Sequence, residues 1–351
     1  MGCIMFPGRY LPVFGLWAAA LAQQPAQPPA RHSEPPPEPP IKVQVNEVIV
    51  PVSVTDYKDR FVSNLDKSDF KIFENGKEQK IAYFNRERNQ PVVVGFILDL
   101  SSASRVHWKN YQDSASELVY TLLSEDRSER YTGFLVTYST DAELVVNTTA
   151  DPSLITDRIA KAKPGGGAAM YDAIYLAITK HKMIKGEPIE PRRVLIVIGS
   201  GNDNASKRSL DQIIELAQRN LVTIYGVSTK AYGFATEGEE DLKRLAEETG
   251  GRVEYPLEGV YKDIAGFVSK TQDAGSYAID VESGGYASEV AKAMFNAIVA
   301  ISGDVTTQYI LRYVPTAESA ESPKRFHALK VEVNLPEAKV RYRRGYYPNP
   351  P

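Results

Sequence analysis

Hydrophobic and polar residues alternate with period two over residues 41–90. This alternation predicts β-strands. Valines recur at strand spacing from Val43 to Val54. They favour one long strand that is broken or bent near Pro51.

A second pair of strands is predicted farther along the same part. Residues 69–73 alternate as a strand, and residues 80–84 are expected to return beside it. Asn75 and Gly76 predict a tight hairpin turn, because both residues tolerate positive φ. This β unit is too short to be stable alone.

From about residue 91 to residue 272 the pattern changes to apolar strands that alternate with amphipathic helices. The run Val92–Leu98 is continuously apolar, as expected of a central parallel strand that is buried on both faces. Ser209 and Gln212 form a plausible capping box at the start of one helix. The other predicted strands are Thr132–Tyr138, Ala142–Val146 (an edge strand), Val194–Ile198 and Val222–Val227, and the predicted helices cover about 108–123, 151–162, 170–184, 209–220 and 239–249.

The last part of the chain, residues 273–351, mixes the two patterns, with a helix predicted at 286–302 and strands predicted at Tyr309–Tyr313, Ala328–Asn334 and Lys339–Arg343. Neither these strands nor the N-terminal ones can bury a core alone, so we expect the two sets to pair. The predicted fold is therefore α/β. A doubly wound, mostly parallel sheet carries an accessory β-sandwich-like unit that is formed from the N- and C-terminal segments.

The N-terminus has the pattern of an export signal over residues 1–22. Arg9 supplies a positive charge, an apolar run follows, and Ala20-Leu21-Ala22 fits the small-x-small rule for cleavage. The apolar run is too short to remain as a membrane-spanning helix, although an uncleaved interfacial anchor is an alternative. Residues 23–40, rich in proline, alanine and glutamine, predict a linker.

Export places the mature chain in the periplasm or cell envelope, or outside the cell. No further stretch has the roughly 20 apolar residues of a membrane helix, so none is expected in the mature chain. The net charge of −3 gives no electrostatic case for nucleic acid as a partner. The one cysteine, Cys3, lies in the predicted signal, and the four histidines show no ligand spacing.

Three segments resemble the loops of the von Willebrand factor A domain. VVVGFILDLSSA at residues 92–103 resembles the first strand and metal-site loop of that family. GGGAAMYDAI at residues 165–174 is similar to the second loop with its following helix, and VLIVIGSGNDN at residues 194–204 resembles the third loop. The resemblance implies the family's α/β fold over residues 91–272.

The flanking segments resemble a bacterial subfamily, the VWFA-related domain named from acidobacteria. DFKIFENG at residues 69–76, QYILRY at 308–313 and RGYY at 344–347 carry this resemblance, which spans nearly all of residues 43–347. The family resemblance implies a module that binds a protein partner, and the export signal predicts that this partner lies outside the cytoplasm.

The family's chemistry is a metal-ion-dependent adhesion site. The resemblance implies that Mg²⁺ or Mn²⁺ would be held by an Asp-x-Ser-x-Ser loop, a threonine of the second loop and an aspartate of the third. Asp99 and Ser101 match the first aspartate and the first serine. Ala103, Ala168 and Ser200 stand where the second serine, the threonine and the last aspartate belong.

These changes predict a degenerate site. A methyl group cannot coordinate a metal, and serine at position 200 removes one of two negative charges, whereas Mg²⁺ demands about six oxygens in near-ideal geometry. We therefore expect Asp99, Ser101 and Ser200 to bind Mg²⁺ weakly or not at all, with no cofactor. Ser104 and Asp203 lie nearby, but spacing does not place them among the ligands.

Other chemistry has less support. The glycines at 165–167 lack the Gly-Lys-Ser/Thr of a phosphate loop. Ser101 and His107 could suggest a hydrolase pair, but no Gly-x-Ser-x-Gly elbow surrounds a serine and no acid is placed to orient the imidazole. Residues 341–344 interleave arginines with a tyrosine, as single-strand nucleic-acid binders do, but their alternation favours a half-exposed strand.

Two function hypotheses of different class remain. The favoured one is an exported, non-enzymatic module for protein interaction or adhesion. The alternative is an exported hydrolase or a subunit of a hydrolase complex. The sequence favours the first, because no catalytic constellation can be assembled from it.

The export hypothesis predicts the first residue of the mature protein. N-terminal sequencing of secreted or envelope material should begin at Gln23 or within a few residues of it. Recovery of the chain from the cytoplasm with Met1 intact would contradict the hypothesis.

Overall fold

The computed structural model describes residues 47–86, 91–105, 108–127, 129–180, 192–229, 237–257, 284–315 and 325–348. The predicted signal segment and linker lie outside these residues, and so does His107. Within the described part, no helix is long and apolar enough to cross a membrane.

The secondary structure follows the sequence pattern closely. The strands are β1 (Val48–Thr55), β2 (Phe70–Glu74), β3 (Lys77–Gln79), β4 (Ile81–Asn85), β5 (Val92–Asp99), β6 (Tyr131–Tyr138), β7 (Ala142–Thr149), β8 (Arg192–Gly199), β9 (Val222–Ser228), β10 (Val253–Glu254), β11 (Tyr309–Tyr313), β12 (His327–Val333), β13 (Lys339–Tyr342) and β14 (Gly345–Tyr346). The helices are α1 (Trp108–Leu122), α2 (Pro152–Lys161), α3 (Met170–Lys180), α4 (Leu210–Arg219), α5 (Glu237–Thr249) and α6 (Gly284–Thr306).

A six-stranded sheet in the order β10-β9-β8-β5-β6-β7 forms the centre of the α/β unit, and only the edge strand β7 is antiparallel. Every residue of β5 is buried, as the continuous apolar run predicts for a strand covered on both faces. Helices α1, α2 and α6 share the core on one face, and α3, α4 and α5 share the core on the other. The predicted doubly wound α/β fold is confirmed.

The N- and C-terminal segments pair as predicted. One antiparallel sheet has the order β13-β1-β11-β4, and the other has the order β14-β12-β2-β3. Each sheet therefore mixes strands from both ends of the chain. Their inner faces share one apolar core, which includes Val50, Ile72, Leu311 and Val331. We refer to these two sheets as the β base.

Two local predictions were wrong. Asn75 and Gly76 do form the hairpin turn, with φ of 49° and 82°, but the returning strand is β3, and β4 crosses into the other sheet to pair with β11. Strand β1 also runs through Pro51 without the predicted break, and the alternative of a bend there stays a prediction. Strand β13 pairs with β1 only from Val52 onward, so the proline lies just outside the part of β1 that has neighbours on both sides.

A buried ion cluster joins the β base to the α/β unit. Asp304, near the end of α6, has no exposed surface. Its carboxylate lies 2.9 Å from Arg341 Nη2 of β13 and 2.8 Å from Arg252 Nε, which precedes β10. Because a buried carboxylate is costly without partners, these pairs hold the helix, the central sheet and the base in one arrangement.

We predict that Asp304→Ala lowers the free energy of unfolding by about 3–5 kcal/mol, because it leaves two arginines in the junction without their shared counter-ion. Asp113→Ala is the matched control, since Asp113 is exposed on α1 and pairs with Lys109 at 2.7 Å on the surface. That change should cost less than about 1 kcal/mol. Equal losses for both variants in urea denaturation would contradict the role given to the buried cluster.

Candidate functional site

The candidate site lies at the carboxyl end of the central sheet. After β5 the chain moves to β6 on one side, and after β7 it crosses to β8 on the other side of β5. In open α/β sheets, ligands bind in the crevice outside such a reversal of strand order. Asp99 ends β5, Tyr138 ends β6 and Ser200 directly follows β8, so all three meet at this crevice.

The carboxylate of Asp99 is buried, with 1% of the residue exposed. Its Oδ1 accepts a hydrogen bond from the backbone N–H of Ser101 at 2.7 Å. Its Oδ2 accepts from both the backbone N–H and the hydroxyl of Ser200, each at 3.2 Å. The structure therefore brings together the three residues that the sequence predicted, with Asp99 as the shared acceptor.

Tyr138 is the fourth member of this cluster, and sequence reasoning missed it. A Cβ on Gly199 would lie 2.5 Å from the Tyr138 hydroxyl and 3.1 Å from Asp99 Oδ2, so the phenol and the carboxylate flank the same glycine. Burial raises the pKa of the Tyr138 phenol well above its usual value, and the negative charge of Asp99 raises this pKa further. The phenol therefore stays protonated beside the carboxylate. The sequence signal that could have pointed to Tyr138 was its position at the end of a predicted strand next to β5.

Backbone hydrogen bonds tie the first loop to the glycine loop. The N–H of Gly165 donates to the carbonyl of Leu100 at 2.6 Å, and the N–H of Ser102 donates to the carbonyl of Gly166 at 3.1 Å. Gly166 has φ of +90°, and a Cβ there would lie 2.8 Å from the Thr140 hydroxyl oxygen. The glycines therefore allow the loops to approach each other closely. This close packing explains the run of glycines, and no phosphate ligand is needed to explain it.

The third loop is fastened to the same region. Asn204 Oδ1 accepts from the N–H of Ala168 at 2.8 Å, and the N–H of Asn204 donates back to the carbonyl of Ala168 at 2.9 Å. Asp203 accepts from the N–H of Tyr171 in the first turn of α3 at 2.8 Å, and from the Ser206 hydroxyl at 2.6 Å. Asp203 therefore caps the first turn of α3.

The donor set around Asp99 fits a divalent ion poorly. Ser101 and Ser104 are buried, and their hydroxyl oxygens have no hydrogen-bond partner. Together with the two carboxylate oxygens of Asp99 they offer at most four oxygens and one negative charge. Ser200 uses its hydroxyl proton on Asp99, and the buried methyl group of Ala168 offers no donor. A Mg²⁺ ion, which sheds water reluctantly, would keep most of its hydration here.

Metal clusters of the usual kind are also absent from the described ranges, where no three His, Cys, Asp or Glu side chains group closely enough to hold an ion.

His327 lies in the β base, and its Nδ1 lies 2.5 Å from Glu74 Oε1. Ser101, of which 3% is exposed, lies in the loop after β5 of the central sheet, whereas His327 begins β12 of the β base. The proposed partner in a hydrolase pair, His107, lies outside the described residues.

The sequence matches no protein-family model and no curated protein. Similar solved structures include an aerotolerance-related membrane protein from Bacteroides fragilis, which is 16% identical over 51% of this chain and 100% of that one, with a TM-score of 0.38. A von Willebrand factor type A structure from Catenulispora acidiphila is 14% identical over 72% of this chain and 51% of that one, with a TM-score of 0.39. Proximal thread matrix protein 1 from the mussel byssus, with a zinc-occupied MIDAS motif, is 17% identical over 53% and 48%, with a TM-score of 0.39. These values are too low to carry the role of any residue from those proteins to this one.

Proposed function

We propose that this chain is an exported, non-enzymatic protein-interaction module on a von Willebrand factor A-type scaffold, of the VWFA-related bacterial type, and that it holds its partner without a bridging metal ion. The observation that carries the proposal is the hydrogen bonding of the Asp99 carboxylate. Its two carboxylate oxygens accept hydrogen bonds from Ser101 and Ser200 of the protein itself. The residue that would bridge to a partner through a metal is therefore already engaged.

The surface above Asp99 supports direct contact instead. Ser102 and Ala103 of the first loop are exposed, and so are Asn202 and Asn204 of the third loop. These side chains carry no charge, and the backbone beneath them is fixed by the loop-to-loop hydrogen bonds. A surface whose backbone is already fixed loses little conformational entropy when a protein partner covers it.

The export signal supports a location outside the cytoplasm, in the periplasm or cell envelope or in the medium. Partners in adhesion, envelope assembly or scaffolding would be met there. The hydrolase alternative has no observation in its favour, because the buried Ser101 hydroxyl is neither exposed nor activated by a base among the described residues.

We predict that Ala103→Arg abolishes partner capture, because it places a long charged side chain in the middle of the loop surface. The measurement is quantitative pull-down from the native cell envelope, with mass spectrometry of the bound proteins. Ala160→Arg is the matched control, since Ala160 is an exposed alanine on α2. Both variants should keep the melting temperature of the unmodified protein, because surface substitutions of this kind change stability by about 0.5 kcal/mol or less.

The interaction proposal fails if the same proteins are captured in equal amounts by the Ala103→Arg variant, the Ala160→Arg variant and the unmodified protein. It also fails if capture is lost only when a chelator is added.

We further predict that Mg²⁺ and Mn²⁺ do not bind tightly. Chelator should leave the melting temperature unchanged, because a ligand that does not bind the native state cannot stabilise it. The triple variant Ala103→Ser, Ala168→Thr, Ser200→Asp is the positive control, and its melting temperature should rise with added metal. Micromolar binding of either ion to the unmodified protein in calorimetry would overturn this prediction.

A further inference from the structure

The two edges of the β base differ in how they are covered. At the edge of β13 and β14, the N–H of Arg344 donates to the carbonyl of Glu248 at the end of α5. A Cβ on Gly250 would lie 2.6 Å from the backbone nitrogen of Arg343, and Arg219 of α4 lies over the Tyr347 ring at 4.3 Å. That edge is closed by the α/β unit.

The opposite edge is formed by β3 and β4. Each of these strands has a partner on one side only among the strands of the described part. Between Ile81 and Asn85, β4 carries neither a proline nor a charged side chain, and its one irregularity is the register shift opposite Ala82. An edge strand that carries neither proline nor charge leaves its outer backbone groups open to pairing with another chain.

A groove of about 660 Å³ opens beside this edge. Phe70, Ile81 and Phe84 supply its apolar lining. The Phe70 ring packs against Phe84 at 5.7 Å and against Tyr309 at 5.0 Å between ring centroids. The Tyr309 hydroxyl in turn donates to the carbonyl of Val62 at 2.8 Å, so the floor of the groove is held in place.

The groove lining has a small excess of positive charge, although the whole chain has a net charge of −3: three lysines, Lys67, Lys71 and Lys80, stand against two acids, Asp66 and Glu78. Lys67 and Lys80 are exposed. The other charges are already balanced, because Asp66 pairs with Arg86 at 3.1 Å. Lys71 lies across the strands from Glu332. The pKa of the Glu332 carboxyl is lowered chiefly by the hydrogen bond from the Lys330 side chain, and the charge of Lys71 lowers this pKa further.

We propose that this groove and the outer edge of β4 bind an extended peptide segment of a partner protein, in which apolar and acidic side chains alternate. The backbone of the segment adds a strand to β4, its apolar side chains enter the groove over Phe70 and Phe84, and its acidic side chains face Lys67 and Lys80. In strand addition, main-chain hydrogen bonds give affinity and pockets for alternate side chains give specificity. This surface is separate from the loops around Asp99, so the two binding sites can be tested independently.

The test uses a fluorescein-labelled peptide, Asp-Val-Glu-Leu-Asp-Val-Glu, and fluorescence anisotropy on the full protein. We expect saturable binding that weakens as salt is added. The double variant Lys67→Glu, Lys80→Glu should weaken binding about tenfold, because two attractive pairs become repulsive. Lys161→Glu, an exposed lysine on α2, is the matched control and should bind like the unmodified protein.

Two further probes test the binding mode. The same peptide with N-methyl groups at alternate residues keeps its side chains but loses backbone donors, so it should bind at least tenfold more weakly. The peptide with lysine in place of each acid should not bind. Lack of saturable binding up to millimolar peptide, or equal binding of the N-methylated probe, would overturn the proposal. So would a dimer of the free protein in sedimentation that the acidic peptide dissociates, because a second copy would then be the occupant.

Discussion

Asp99 carries a carboxylate into the interior of the loop cluster, where 1% of the residue is exposed, and the surrounding backbone is arranged to satisfy it. A buried ionised carboxylate is very costly unless it is paired or fully hydrogen-bonded. Ser101 supplies one donor and Ser200 supplies two. The first and third loops are therefore drawn to one point. The glycine loop follows, because its backbone is bonded to both of them.

The serine at position 200 fits this arrangement for a physical reason. A second carboxylate so close to Asp99 would repel it unless a cation lay between them. A hydroxyl removes the repulsion and donates a hydrogen bond in addition. Ser200 therefore lets the protein satisfy Asp99 with its own donors, whereas an acid at position 200 would need a cation beside it.

The sequence predicted those parts of the fold that depend on local pattern. The apolar run of β5, the capping box at Ser209 and the Asn75-Gly76 turn appear where they were expected, because hydrophobic period, cap chemistry and turn chemistry act over a few residues. The route of β4 could not be predicted in this way. Its partner β11 lies more than 200 residues away, and neighbouring strands in the sequence did not remain neighbours in the sheet.

In the candidate site, too, the residues that a sequence pattern marks were predicted, and the residues that depend on distant contacts were not. Asp99, Ser101 and Ser200 were found because the residues match a family pattern, and the structure brings them together. Tyr138 was missed because no motif marks it, and it reaches Asp99 only through the parallel register of β5 with β6. Asp203 was left open from spacing, and its use as the cap of α3 depends on a hydrogen bond to Tyr171 that the sequence does not reveal.

The central claim is that the protein's own donors occupy Asp99 and leave no place for a metal. A crystal structure of the protein soaked in millimolar Mn²⁺, with anomalous scattering measured at the manganese edge, tests this claim most directly. The account predicts no anomalous peak among the three loops, with the Ser200 hydroxyl still bonded to Asp99. An anomalous peak at about 2.2 Å from oxygens of Asp99 and Ser101 would contradict it.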